Sequence, residues 1–116
     1  MKRINILGTT YKVYLNVPCA KDHRLDGLFG YTSFHEKKIV VADIRTVPGW
    51  ESADKATIQD VVSCTVRHEV IHAYLMESGL NGSANPVTCW ALNEEMIDWF
   101  AIQIPKLVKT FSELGV

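Results

Sequence analysis

Strand-forming and helix-forming chemistry occupy separate halves of this chain, and the change falls near Pro48-Gly49, a strong turn signal. Before it, "INILGTTYKVYLN" carries β-branched and aromatic residues in partial alternation around a Gly-Thr-Thr break, which predicts one strand or a bent hairpin. "CAKDHRLDG" reads as a loop. "LFGYTSFHEKKIVVADI" predicts two short strands, Tyr31–Phe34 and Lys38–Ala42, joined by a polar turn at His35–Lys37. After the turn signal, Ser52 or Asp54 can cap a helix from about Ala53 to Glu77, and Gly79 stops it, because glycine takes the left-handed position after a helix at little cost. "LNGSANPV" reads as a second loop. From about Thr88 a second helix is expected through "CWALNEEMIDWFAIQI", with Pro105 kinking it or opening a final short helix through Leu114. Strands first and helices after is an α+β order: a small, mostly antiparallel sheet packed against a long helix and a second, C-terminal helix.

Composition narrows the function classes. With 47% hydrophobic and 22% charged residues, the 116-residue chain reads as one globular domain over 1–116, neither disordered nor fibrous. The net charge of −1, without a basic run of five or more, offers nucleic acid no electrostatic footprint. The apolar runs are too short for a membrane span, and "MKRINILGTTYKVYL" lacks the apolar core of a signal peptide, so a cytoplasmic setting is expected. Cys19, Cys64 and Cys89 are odd in number and lack C-x-x-C spacing, which predicts reduced thiols packed as small hydrophobes.

The long helix spends two histidines and a glutamate in five positions: His68-Glu69-Val70-Ile71-His72 is H-E-x-x-H. Histidines four apart share a helix face and can point ring nitrogens at one cation. Glu69, about 100° further round, can accept a proton from water at an open coordination position without being a ligand. A random chain of this length shows the pattern roughly 0.3% of the time, so chance is a weak rival. A catalytic zinc needs a third protein ligand, and "NEEMID" offers Glu94, with Asp98 one turn on able to accept a hydrogen bond from a ligating histidine. Glu95 is the competing ligand. Taken alone, this second stretch also reads as a solvated acidic turn suited to the dipole at a helix start. Cys64 would extend the ligand face by a turn, but three side chains along one straight helix span roughly 12 Å, too far to converge well on one ion.

His68-Glu69-Val70-Ile71-His72 followed by Asn93-Glu94-Glu95-Met96-Ile97-Asp98 resembles the gluzincin group of zincin metallopeptidases, whose thermolysin-like members carry H-E-x-x-H and then N-E-x-x-x-D. The run Glu94 to Ala101 is also similar to the small ImmA/IrrE-type and related phage-encoded metallopeptidases, in which strands precede the H-E-x-x-H helix. The resemblance spans residues from about 28 to 105. It implies zinc (Zn2+) on His68, His72 and Glu94, Glu69 as general base and proton shuttle, Asp98 orienting His68, and Asn93 supporting the other histidine. It also implies a protein or peptide substrate, and a bacterial or phage-infected cytoplasm.

The larger gluzincins supply an oxyanion-stabilising histidine or tyrosine from a further domain. Here the candidates are Tyr31 and His35, with His23 and Tyr74 behind them; Tyr74, two residues past His72, points away from the metal face. The strand Lys38–Ala42 is a candidate edge for an extended substrate. Trp50, Trp90, Trp99 and Phe100 read as core, the last two packing the helices together. Two other readings stay open: a zinc-stabilised binding module without turnover, and a metal-dependent hydrolase of a non-peptide bond.

Overall fold

A computed structural model describes residues 1–80 and 89–116. The loop expected over residues 81–87 and the helix start expected at Thr88 lie outside the described residues.

The N-terminal segment is a hairpin: strand β1 (Lys2–Ile6) pairs antiparallel with β2 (Thr9–Val17). Leu7 and Gly8 both have positive φ, 49° and 93°, the two-residue turn whose twist matches that of paired strands. Asn5 secures it by accepting the Gly8 N–H at 3.0 Å. The partial alternation of β2 has a structural cause. Tyr11 and Val13 face one side, and strict alternation would put Val17 with them. Asn16, at φ 56°, sits in a register break between Tyr14 and Val17, and Val17 joins Tyr14 on the opposite face.

Strands β3 (Gly30–Ser33) and β4 (Lys38–Ala42) form a second hairpin, and β4 inserts parallel to β2, giving the order β1-β2-β4-β3. Two of the three pairings are antiparallel. The fold is α+β, as the segregation of the sequence predicts. One expectation is overturned: Lys38–Ala42 is an interior strand, and β3 is the edge. The run "KIVVA" says why, since four of its five residues are buried and a strand covered on both faces needs no polar side. Ile39 and Val41 meet a core with Ile6, Tyr11, Val13 and Ala73, while Val40 and Ala42 meet Leu25 and Val47 on the far face. That far layer comes from the segments around residues 19–29 and 43–50, where three short 3-10 turns replace the expected plain loops.

Helix α1 (Lys55–Glu77) starts at Asp54, whose carboxylate accepts from the Thr57 N–H at 3.0 Å and from its hydroxyl at 2.6 Å. It ends before Gly79, at φ 83°. Both ends fall within two residues of expectation. Val62, Val66, Val70 and Ala73, spaced along one face, lie on the sheet.

Helix α2 (Glu94–Leu114) starts later than expected. Asn93 is its N-cap, accepting the Met96 N–H at 2.7 Å, and residues 90–92 form a separate 3-10 turn. The helix continues through Pro105 to Leu114, so the expected alternative of a separate final helix opening at Pro105 is not what forms. Proline carries no N–H, so the carbonyl of Ala101, four residues earlier, loses its helical donor. Arg67 of α1 supplies one: its Nε donates to Ala101 O at 2.5 Å. The helix–helix seam is built by Ile71 and Leu75 of α1 with Met96 and Ile97 of α2. Trp90 and Trp99 stay half exposed, so neither is the core residue it was expected to be.

Candidate metal centre

Ile71 and Leu75 give one face of α1 to α2, and the valines give another to the sheet. His68 and His72 fall on the strip between, side by side with ring centroids 4.7 Å apart. The first turn of α2 lies across them. Its cap places Glu94 at the head of the helix, where Oε2 is 3.2 Å from His68 Nε2 and Oε1 is 3.2 Å from His72 Nε2. The two Nε2 atoms are 3.0 Å apart. Asp98, one turn on, lies with Oδ1 2.8 Å from His68 Nδ1.

These distances define a donor set. The Asp98 carboxylate can only accept, so His68 carries a proton on Nδ1, and its neutral form presents a lone pair at Nε2. That lone pair faces a second imidazole nitrogen and a carboxylate oxygen. Three such atoms repel unless a proton or cation lies among them. Zinc bound at 2.0–2.1 Å in a tetrahedral shell separates its ligand atoms by about 3.3 Å. Each imidazole nitrogen meets its own oxygen of the Glu94 carboxylate at 3.2 Å, and one ligand atom from each of the three residues can be chosen with all three within 4.8 Å of one another, close enough to share one ion. Among the described residues, His68, His72 and Glu94 are the His, Cys, Asp and Glu group whose ligand atoms converge in this way. The residues present fit the ion.

Glu69 lies beside this group with only 6% of its surface exposed. Burial pushes its carboxyl above the ordinary range. A hydrogen bond from Thr32 and the two imidazoles oppose that, and Glu94 adds to it. Thr32 Oγ1 is 2.8 Å from Glu69 Oε2 and 2.8 Å from the Glu69 carbonyl. The edge strand can come this close because residue 30 is glycine. A Cβ there would sit 2.9 Å from both Thr65 Cγ2 and the Val40 carbonyl oxygen, and 3.3 Å from Glu69 Cγ.

A cleft of about 350 Å³ opens beside the group and runs toward the start of α1. His68, Glu69 and Asp98 line one end. Leu28, Phe29, Val61 and Cys64 make the remainder largely apolar. Cys64 is thus a cleft wall outside the ligand set.

The structure brings together His68, Glu69, His72, Glu94 and Asp98. It does not bring in the others. Asn93 spends its side-chain oxygen on the α2 cap, not on a histidine. Glu95 is exposed and lines a separate depression with Met96 and Trp99. Tyr31 belongs to the opposite face of the sheet, because Gly30 and Thr32 take the α1 side and alternation sends residue 31 away. There its hydroxyl donates to Asp22 Oδ2 at 2.6 Å, and Arg24 stacks 4.6 Å above its ring. His35 is in the exposed β3–β4 turn, edge-on to Phe34, His23 is on an exposed 3-10 turn, and Tyr74 is 45% exposed. Sequence reasoning missed Thr32 and Gly30. The one available signal was alternation, and a β4 that is apolar on both faces hides which way β3 points.

Compared with protein-family models, with curated proteins and with solved structures, the chain matches none. Among the described residues no helix is long and apolar enough to cross a membrane.

Proposed function

We propose that this chain is a zinc-dependent peptidase of zincin type. The observation that supports the reading best is the convergence of His68 Nε2, His72 Nε2 and the Glu94 carboxylate, the nitrogens 3.0 Å apart and each 3.2 Å from one carboxylate oxygen, beside a buried carboxylate that is not part of the group. Zinc held there supplies Lewis acidity and brings the pKa of water down toward ~7. The chain's own residues do the rest. Asp98 fixes the His68 tautomer, so that Nε2 is free to ligate. Glu69 takes the proton of the attacking water and returns it to the leaving amine nitrogen.

The substrate reading follows from the walls. Among the described residues β3 pairs with β4 alone, which leaves its outer backbone edge as the place for an extended peptide to pair. The apolar cleft beside it can take an apolar side chain next to the scissile bond. Glu94 and Asp98 side chains are 63% and 62% exposed, so the centre lies open at the cleft mouth, accessible to a polypeptide.

The first test is the metal content of purified protein by elemental mass spectrometry, beside Glu94→Ala and Glu95→Ala. About one zinc per chain, lost with Glu94 and kept without Glu95, supports the three-ligand centre. The second step is a fluorescence-quenched peptide library with varied apolar positions, run with Glu69→Gln as control. No metal uptake by the apo protein overturns the reading. Zinc retained with no cleavage that Glu69→Gln abolishes would favour a binding module.

A further inference from the structure

We infer that Thr32 is the positioning residue for Glu69: its hydroxyl holds Oε2, which leaves Oε1 to meet the reacting water. The inference rests on Glu69 acting as the general base.

Four observations carry it. Thr32 sits on the α1-facing side of the edge strand, and its Oγ1 is 2.8 Å from Oε2. The second contact of the same hydroxyl is the carbonyl of Glu69 itself, also 2.8 Å, so two acceptors of one residue compete for its single proton. A hydroxyl has one proton to give, and an ionised carboxylate is the stronger acceptor. Gly30 removes the side chain that would hold β3 away from Thr65 and Glu69, so the strand approaches closely at this point. Finally, Glu69 is the buried charged residue of the described chain, yet it makes no ion pair through a lysine or arginine. Its fixed partner is this neutral hydroxyl, which orients the carboxylate without cancelling its charge.

A freely rotating glutamate has three side-chain torsions, and a general base must reach its proton at about 2.6–3.2 Å. Tethering one oxygen removes most of those conformers. The edge strand thereby has two jobs: its outer backbone faces a peptide, and its inner face sets the base that acts on it.

The test uses Thr32→Val, which keeps the shape and removes the hydroxyl, and Thr32→Ser, which restores it. Both are assayed as zinc-loaded protein on the best-cleaved quenched peptide of the library. The expected result is a kcat about 10- to 100-fold lower in Thr32→Val, with KM within about twofold and zinc content unchanged, and recovery to within about threefold in Thr32→Ser. A Thr32→Val kcat within about twofold of the parent overturns the inference, as does a loss that appears in KM or zinc content instead. Glu69→Gln separates the two levels. If it is inactive while Thr32→Val is active, only the role of Thr32 falls; if it is active, the general-base reading falls first. Should Thr32→Val fail to fold or no peptide be cleaved, a crystal structure of the unsubstituted protein decides. Thr32 Oγ1 beyond about 3.5 Å from both Glu69 carboxyl oxygens overturns the inference, and contact within hydrogen-bond range supports it.

Discussion

Arg67→Met should expose the weak point that Pro105 creates in α2. Proline in a helix interior costs roughly 3 kcal/mol, in part because the carbonyl four residues earlier loses its donor. Here that carbonyl is Ala101 O, and the Arg67 guanidinium fills the vacancy at 2.5 Å. A hydrogen bond to a charged group is worth about 1.5–3 kcal/mol net, so Arg67→Met should destabilise by about that much. For a domain of this size the Tm should fall by about 6–12 °C. The decisive assay is a double-mutant cycle with Pro105→Ala, by urea denaturation in EDTA so that metal binding does not enter. Alanine at 105 returns an N–H to Ala101 O. Arg67→Met should then cost at least about 1 kcal/mol less than in the parent background. Equal costs in the two backgrounds would refute the reasoning and reduce the Arg67 contact to ordinary surface packing.

Three further outcomes follow from the geometry. Tyr31→Phe should leave zinc content and peptide turnover unchanged, because Tyr31 lies on the far face, while lowering stability by about 1 kcal/mol through the lost bond to Asp22; a large fall in kcat would return Tyr31 to the reaction. Gly30→Ala should destabilise by about 1–3 kcal/mol in thermal melts, since the Val40 carbonyl oxygen at 2.9 Å is backbone and cannot turn away; a neutral result would show that β3 has room to shift. Glu77 is held below the ordinary carboxylate range, first by Lys37 and then by Tyr11, with burial opposing and Thr9 assisting. A depressed folded pKa gives stability that is complete above the unfolded value near ~4.3 and fades as pH falls through the folded one. The stability gap between parent and Glu77→Gln, read by urea denaturation, should therefore be full at neutral pH and close in acid; a gap independent of pH would remove the ionic contribution.

What could be read from the sequence was whatever a short stretch encodes by itself. The i, i+4 spacing of His68 and His72 needs only a helix, and the helix announces both ends, Asp54 by a cap and Gly79 by its left-handed conformation. Asn93 is equally local, an Asn followed by two acids, a pattern that suits a helix cap as well as a partner for a histidine. Its amide oxygen caps the Met96 N–H at 2.7 Å. The decision between Glu94 and Glu95 became legible only with that cap in place, because the cap fixes the phase of the helix and hence which carboxylate meets α1.

What the sequence hid depends on how separate stretches meet. The insertion of β4 between β2 and β3 is a pairing of residues more than twenty apart, and "KIVVA", apolar on both faces, fits an interior strand without naming its neighbours. With β4 inside, β3 becomes the edge, and the direction of each β3 side chain is settled by its partner: Thr32 lies opposite Ile39, which faces α1, and Tyr31 opposite Val40, which does not. The residue with the richer chemistry was therefore expected at the site, and the plainer hydroxyl arrived there instead. The register of one hairpin makes the difference, because a shift of one residue would exchange Tyr31 for Thr32 beside Glu69. Gly30 bears on that choice as well. It lets Thr32 come within 2.8 Å of the carboxylate, and any side chain at residue 30 would meet the backbone of Val40 and the side chain of Thr65 before the strand could settle.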